Sequence, residues 1–81
     1  MIMICGADWC GDTRRTLAYF DDQGVAYTYR NVDTDSGAMD WVEAQNDGKR
    51  KLPTVMIGEQ VLSVPTNAQI DDALRSQGAM S

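Results

Sequence analysis

The chain has 81 residues, the size of one small domain, and we expect residues 1–81 to form a single unit. A net charge of −5 at pH 7 argues against general nucleic-acid binding, which needs a basic face. The absence of histidine excludes Cys-His nucleophile pairs, Ser-His-Asp triads and most zinc sites. Two cysteines are too few for a disulfide scaffold of this length.

The sequence contains no pattern typical of a signal peptide or of a membrane-spanning segment. An apolar fraction of 43% with two tryptophans favours a packed globule over a disordered chain. We therefore expect a cytoplasmic protein in reducing surroundings, with no membrane or nucleic-acid partner, and a monomer.

The first half of the chain alternates strand and helix patterns. A short apolar run predicts a strand over residues 2–5, and a helix is predicted over residues 11–23. Residues at i, i+3, i+4 and i+7 give that helix one inward stripe: Thr13, Thr16, Leu17 and Phe20. Gly24 is placed to end it in the left-handed conformation. Alternating apolar and polar residues then predict a second strand over residues 25–32.

Turn and capping residues divide the next stretch. Residues 33–36 supply turn and N-cap chemistry, and a second helix is predicted over residues 37–46, ended by Gly48. Its inward side is expected to contain Ala38, Met39, Trp41, Val42 and Gln45. Residues 54–57 and 60–62 are predicted strands, joined by a two-residue hairpin turn.

The last predicted helix begins with a capping box between Thr66 and Gln69 and ends at Gly78. Its expected inward residues are Ile70, Ala73 and Leu74. The order of elements is therefore β-α-β-α-β-β-α, and the fold class is α/β. We expect a four-stranded mixed sheet with three helices covering both faces.

Cys10 lies between the first predicted strand and the first predicted helix. Free N–H groups and the helix dipole stabilise a thiolate at that place, and the thiolate is the reactive form of cysteine. Asp8 and Asp12 oppose the negative charge, whereas Arg14 and Arg15 favour it. We predict that Cys10 is a catalytic nucleophile with a depressed pKa.

A second sulfur is missing where a dithiol motif C-x-x-C would place it, because the fourth residue is Thr13. Its hydroxyl lies one turn along the helix from Cys10. It either donates a hydrogen bond to the thiolate or fills the space of a cysteine, and the sequence leaves both interpretations open. Cys5 is interpreted as a buried strand residue, with the alternative that it is a resolving thiol for Cys10.

Three stretches, together with the element order, resemble the glutaredoxin family of the thioredoxin fold, and within it mycoredoxin-like proteins and the redoxins that serve ribonucleotide reductase. Residues 7–15 (A-D-W-C-G-D-T-R-R) look like the family's W-C-x-x-C-R-R with one sulfur replaced. Residues 51–55 (K-L-P-T-V) resemble its loop with a cis-proline. Residues 63–67 (S-V-P-T-N) stand where the family begins its last helix, without the Gly-Gly-x-Asp pattern of glutathione-binding members.

The resemblance implies a thioredoxin-like fold and a monothiol thiol–disulfide oxidoreductase. Cys10 would exchange with mixed disulfides between proteins and a low-molecular-weight thiol, mycothiol first and glutathione second, with no metal. Thr13 is the second candidate catalytic residue. Pro53 is expected to be cis and to present the Leu52 backbone as an open pairing edge. The candidate substrate-binding residues are Trp9, Gly11, Asp12, Arg14, Arg50, Leu52, Pro53, Thr66 and Asn67.

Other interpretations remain open at this point. Two basic segments, Arg14-Arg15 and Lys49-Arg50-Lys51, either form one patch or are ordinary solvated side chains. Monothiol relatives with the motif C-G-F-S carry a [2Fe–2S] cluster between two copies, and C-G-D-T shares their single sulfur, glycine and hydroxyl residue but not the phenylalanine. A redox-inactive binding module would have a thiol pKa of about 8.5. A dithiol redoxin with its second cysteine replaced would also have this sequence.

Overall fold

The computed structural model describes residues 1–77 and contains seven elements in the predicted order. The strands are β1 (Ile2–Gly6), β2 (Thr28–Asn31), β3 (Thr54–Ile57) and β4 (Gln60–Ser63). The helices are α1 (Gly11–Asp22), α2 (Ser36–Gln45) and α3 (Asn67–Ser76). The predicted helix end at Gly78 lies outside the described residues. None of the helices in residues 1–77 combines the length and the apolar character needed to cross a bilayer.

The four strands form one mixed sheet in the order β2-β1-β3-β4. β1 pairs with β2 in parallel, so β1, α1 and β2 form a crossover unit. β1 pairs with β3 and β3 with β4 in antiparallel fashion, the second pair as a hairpin. The predicted sheet is confirmed, and the carboxyl ends of β1 and β2 lie side by side at one edge, where Gly6 pairs with Asn31.

Each face of the sheet has its own core, because neighbouring strand residues such as Ile4 and Cys5 point to opposite faces. The first core, which contains residues from α1 and α3, consists of Ile4, Phe20, Val55, Ile57, Ile70, Ala73 and Leu74. The second core, which contains residues from α2, consists of Cys5, Ala7, Val32, Ala38 and Val42. The helices therefore cover both faces, as predicted.

The second strand is shorter than predicted, because only Thr28–Asn31 of residues 25–32 pairs with β1. The parallel register begins with Met3 opposite Thr28. Tyr27 packs edge-to-face on Phe20 of α1 instead, with ring centroids 5.8 Å apart. The alternation in residues 25–27 thus reflects packing under a helix rather than strand pairing.

The helix termini largely follow the capping predictions. Asp35 caps α2 by accepting a hydrogen bond from the Ala38 N–H at 3.1 Å. The capping box of Thr66 and Gln69 begins α3 as predicted. One expectation for α2 is wrong: Gln45 is exposed, and it is the next residue that is buried.

Candidate active site

Cys10 is the N-cap residue of α1. Its backbone is extended, and its carbonyl accepts the first helical hydrogen bond, from the Arg14 N–H at 3.0 Å. Its side chain caps no backbone N–H of the helix. The half-buried sulfur lies 3.8 Å from the carbonyl oxygen of Leu52. A partly exposed sulfur therefore sits at the positive end of α1.

The electrostatic surroundings lower the pKa of the Cys10 thiol below its ordinary value. Desolvation is the largest single influence, and it raises the pKa. The Thr13 hydroxyl and the backbone N–H groups of Thr13 and Asp12, which favour the charged form, together outweigh it. The negative charge of Asp12 raises the pKa and is the smallest of these influences. The helix terminus and Thr13 therefore stabilise the thiolate.

Thr13 is fully buried one turn after Cys10, against the end of β1. Its Oγ1 accepts a hydrogen bond from the Ala7 N–H at 3.3 Å. Because a hydroxyl has acceptor lone pairs and one proton, this contact leaves the proton available for the Cys10 sulfur. A Cβ atom at Gly6 would overlap Oγ1 and Cγ2 of Thr13, so the side chain fits only because residue 6 is glycine. Thr13 therefore fills the space against Gly6 and keeps a hydroxyl proton that it can donate to the Cys10 sulfur.

Cys5 is fully buried in β1, within the core under α2. Burial raises the pKa of its thiol, partly offset by the Arg30 charge, while Asp35 raises it further. Both cysteines are free. Cys5 is thus a buried core thiol, as the first interpretation has it, rather than an accessible partner for Cys10.

The loop before β3 brings Leu52 and Pro53 to Cys10. The Leu52–Pro53 peptide bond is cis, as the resemblance implies. Pro53 is buried, and its carbonyl accepts a hydrogen bond from the Val64 N–H at 2.8 Å. This places residues 63–65 next to the proline and makes a second wall of the site.

Trp9 belongs to a three-residue cluster that the sequence did not predict. Its indole is 64% exposed, and its Nε1–H donates to the Asp33 carboxylate at 2.8 Å. Arg50 donates to the other Asp33 oxygen at 3.1 Å, and its guanidinium carbon lies 6.0 Å from the Trp9 ring centroid. Two predicted binding residues, Trp9 and Arg50, are thus joined by an aspartate that the sequence placed only in a turn.

A usable signal for Asp33 existed in the sequence. Asp33 directly follows the second predicted strand, which runs parallel to the first in a crossover unit. Side chains that follow parallel strands gather at the carboxyl edge of a sheet, where ligands bind in open α/β sheets. Asp8 follows the first strand in the same way, and it accepts a hydrogen bond from the Tyr29 hydroxyl at 2.7 Å.

Arg15 reaches from α1 to the start of α3. Its Nη1 donates to the Asn67 side-chain oxygen at 2.8 Å, and its Nη2 donates to the Pro65 carbonyl at 2.9 Å. Its Nε lies 3.7 Å from the Asp12 carboxylate. Asp12, a predicted binding residue in the first turn of α1, is exposed. The sequence suggests Arg15 as part of a basic patch and as a charge that favours the Cys10 thiolate, but it does not predict these two hydrogen bonds.

The two basic segments have separate partners. Arg15 pairs with Asp12, whereas Arg50 pairs with Asp33. Arg14 is exposed, and it forms no ion pair within residues 1–77. The cations are therefore distributed among different contacts and are partly neutralised by neighbouring carboxylates.

The remaining predicted residues lie at two helix termini. Gly11 is the first residue of α1, and a Cβ atom added to it would meet no atom within 4 Å. Thr66 and Asn67 begin α3, where the Thr66 hydroxyl accepts from the Gln69 N–H at 3.2 Å. The capping prediction for Thr66 is thus confirmed, and the Asn67 oxygen is occupied by Arg15.

Asn46 was missed entirely by the sequence analysis, which treated it as the last residue of a helix. It is buried, and its Nδ2 donates to the Val42 carbonyl at 2.7 Å and to Thr54 Oγ1 at 3.1 Å. The Ser63 hydroxyl donates to Asn46 Oδ1. Thr54 Oγ1 in turn donates to the Lys51 carbonyl at 2.7 Å. This hydrogen-bond network connects the loop that contains Leu52 to the end of α2 and to β4.

Comparison with known proteins decides the family. The family model described as Glutaredoxin matches residues 2–62, which is most of the chain. The chain belongs to the glutaredoxin family. It is 41% identical over 54 residues to Mycoredoxin 1 of Corynebacterium glutamicum, an alignment that covers 67% of this chain. The same alignment covers 66% of that relative, just under two thirds of its length.

Solved structures agree with this glutaredoxin fold. The NrdH-redoxin of Escherichia coli superimposes with a TM-score of 0.69 at 29% identity, over 76% of this chain and 79% of its own. A buckwheat glutaredoxin–glutathione complex gives 0.73 at 22% identity, over 99% and 81%. The thioredoxin-like protein BC3987 gives 0.81 at 20% identity, over 91% and 100%. The last two likenesses show the fold, which is thioredoxin-like as predicted.

Within residues 1–77, no group of three or more cysteine, aspartate or glutamate side chains is arranged to hold a metal ion. The reactive side chain that this glutaredoxin-family site presents is the half-buried Cys10 thiol. It has a lowered pKa, partial exposure and a neighbouring backbone carbonyl.

Proposed function

We propose that this protein is a monothiol thiol–disulfide oxidoreductase of the glutaredoxin type. The observation that carries the proposal is the lowered pKa of Cys10 at the N-terminus of α1, beside a buried hydroxyl instead of a second cysteine. The thiolate is the attacking species in disulfide exchange, and a lowered pKa increases the fraction of Cys10 in that form. With Cys5 buried, a small external thiol has to complete the cycle.

The proposed cycle has two exchanges. The Cys10 thiolate attacks the small-thiol sulfur of a mixed disulfide, the old S–S bond breaks, and the protein thiolate leaves and takes up a proton. A second small thiol, as thiolate, then attacks the adduct on Cys10. This releases a small-thiol disulfide and restores the Cys10 thiolate. Each exchange breaks one S–S bond and forms another, so each turn consumes one free small thiol and one mixed disulfide and yields one protein thiol and one small-thiol disulfide.

The neighbours of Cys10 have separate proposed roles. Thr13 donates a hydrogen bond to the thiolate both before attack and when the sulfur leaves. Leu52 offers its backbone for pairing with an extended thiol compound, next to Pro53. The other proposed contacts with substrate are Trp9, Gly11, Asp12, Arg14, Arg50, Thr66 and Asn67.

Mycothiol is the first proposed co-substrate and glutathione the second. The name of the Corynebacterium relative supports mycothiol, since that protein is a mycoredoxin. Residues 63–67 support it too, because they lack the Gly-Gly-x-Asp pattern of glutathione-binding members. The proposal describes a cytoplasmic monomer with no resident metal, acting on protein mixed disulfides.

The test is turnover of a protein mixed disulfide by the reduced protein, with mycothiol in one series and glutathione in the other. Cys10→Ser serves as the blank, and Cys5→Ser as the control that keeps the nucleophile. We expect turnover by the wild type and by Cys5→Ser, none by Cys10→Ser, and faster turnover with mycothiol. Equal rates for the wild type and Cys10→Ser would remove the oxidoreductase function.

A further inference from the structure

Val64 adopts a backbone conformation that valine avoids. Its φ angle is +46°, in the left-handed region, and a β-branched residue there is a strained outlier. Val64 is 38% exposed, so it is not a core residue whose position full burial would fix. Such residues persist only where their surroundings hold them, and they cluster at functional sites.

Two contacts hold this segment. The Val64 N–H donates to the Pro53 carbonyl at 2.8 Å, beside the loop on which the Cys10 sulfur rests. The next residue, Pro65, is fixed from the other side, because its carbonyl accepts from Arg15 at 2.9 Å. Arg15 also donates to the Asn67 side chain at 2.8 Å. It therefore binds the segment at two residues that follow Val64, Pro65 and Asn67.

These contacts form a closed ring around the sulfur. Cys10 caps α1, and Arg15 lies in the second turn of the same helix. Arg15 holds Pro65, the residue after Val64, and Val64 holds Pro53. The carbonyl of the residue before Pro53 then returns to the Cys10 sulfur at 3.8 Å. The helix that carries the nucleophile thus also fixes the opposite wall of the site.

We propose that Arg15 is a positioning residue: it clamps residues 63–67 so that strained Val64 stays bonded to Pro53, and it thereby shapes the groove that receives the small thiol. The inference rests on the proposed function, since it concerns the co-substrate groove of that same site. It assigns to Arg15 a role that depends on hydrogen-bond geometry, not on general positive charge.

The chemistry of the side chain supports this assignment. A guanidinium presents donors in a fixed fork and serves two acceptors at once, whereas an ammonium is a point charge. The Arg15–Asp12 ion pair is 3.7 Å long and both side chains are partly exposed, so it contributes little. The two shorter contacts go to a neutral carbonyl and a neutral amide, and these are the ones that reach the strained segment.

The experiment compares Arg15→Gln with Arg75→Gln. Arg75 is a matched control, because it is also an exposed α-helical arginine in an i,i+3 ion pair with an aspartate. The rate of amide hydrogen exchange at Val64 reports directly on the hydrogen bond from Val64 to the Pro53 carbonyl. The KM for mycothiol in steady-state kinetics reports on the shape of the groove. The pH dependence of Cys10 alkylation checks that the pKa of the nucleophile is unchanged.

For Arg15→Gln we expect Val64 amide exchange to become about tenfold faster, and the KM for the small thiol to rise about fivefold to tenfold, as for lost hydrogen bonds to a charged group. The kcat and the Cys10 alkylation profile are expected to stay close to those of the wild type. Arg15→Lys keeps the charge without the fork and is expected to resemble Arg15→Gln. Arg75→Gln is expected to change none of these quantities.

Rescue separates a clamp from a general structural role. Glycine adopts a positive φ without strain, so Arg15→Gln with Val64→Gly is expected to regain the KM of Val64→Gly alone. Unchanged Val64 exchange in Arg15→Gln would overturn the proposal, as would faster exchange with an unchanged KM. If the wild type turns over no mixed disulfide, the proposed function fails. The exchange experiment still decides whether Arg15 is the clamp.

Discussion

At the scale of single residues, Thr13 and Thr16 form a natural comparison. Both are fully buried in α1, one turn apart. The Thr13 hydroxyl accepts a hydrogen bond from the Ala7 N–H and lowers the pKa of Cys10, whereas Thr16 Oγ1 has no hydrogen-bond partner among residues 1–77. The same substitution at the two positions should therefore have different consequences.

Thr13→Val removes the hydroxyl that stabilises the Cys10 thiolate. The pKa of Cys10 should rise toward its ordinary value, because a hydrogen bond that lowers it is lost. At neutral pH the thiolate fraction, and with it the alkylation rate with iodoacetamide, should fall severalfold. A profile of that rate against pH checks this, and a profile identical to that of the wild type would contradict it. Thr16→Val is the control and should leave the profile unchanged.

Thr16→Val should stabilise the fold. A buried hydroxyl without a partner carries a desolvation cost, and valine has nearly the same shape. We expect the free energy of unfolding to rise by about 1 kcal/mol in urea denaturation. Thr13→Val should lower it by about 1–2 kcal/mol, since the Ala7 N–H loses its acceptor. Shifts of the same sign in the two variants would show that the hydroxyls are equivalent.

At the scale of elements, β1 and α1 meet at Gly6 and Thr13. A Cβ atom at position 6 would overlap the Thr13 side chain, so Gly6→Ala should cost about 1–3 kcal/mol of unfolding free energy. Thr13→Ala removes the two closest of the obstructing atoms, Oγ1 and Cγ2. The double variant should therefore be more stable than the sum of the two single losses implies. Thermal denaturation of the four proteins gives this coupling, and simple additivity would contradict the overlap.

Helix α2 has a pH-sensitive start. Hydrogen bonds from Arg30, and then from the Ala38 N–H, lower the pKa of Asp35 below its ordinary 3.8. A depressed folded-state pKa stabilises the protein above pH 3.8, and this contribution is lost as the pH falls through the folded-state value. In that acid range, Asp35→Asn should remove most of the dependence of the unfolding free energy on pH. Arg30→Gln should remove part of it. Acid titration followed by circular dichroism measures the slope, and three parallel curves would count against this account.

The elements also show what the sequence can predict. Residues whose partners are close in the chain were interpreted correctly, as with Asp35, the Thr66 capping box and left-handed Gly24. The failures involve distant partners. The start of β2 depended on where β1 begins pairing, and the role of Asn46 at the end of α2 depended on Thr54 in β3. Periodicity along one segment contains no information about such partners.

At the scale of the whole molecule, the active site collects residues from several separated segments. The nucleophile and its helix were predictable, because a strand, a cysteine and a helix follow one another directly. The hydrogen bonds of the Trp9 cluster and those from Arg15 to Pro65 and Asn67 were not, since they join residues 17 to 52 positions apart. The resemblance identified which segments meet, and the structure identified which atoms touch.

The net charge of −5 on a chain of this size disfavours self-association. We expect the reduced protein to sediment at equilibrium with a mass of 8.9 kDa. Cys10→Ser should give the same mass, because a monomer does not depend on the Cys10 thiol. A doubled mass in the reduced wild type would overturn the expectation of a monomer.

The burial of Cys5 and the threonine at position 13 have a consequence for how the protein is found in a cell. A chain without a second accessible sulfur has no internal way to discharge an adduct from Cys10. Under the proposed function, each oxidised molecule therefore keeps the small thiol attached to Cys10 until an external thiol removes it. Intact-mass spectrometry of protein extracted in acid would display those adducts as discrete mass increments, and so identify its physiological thiol without any assay of activity.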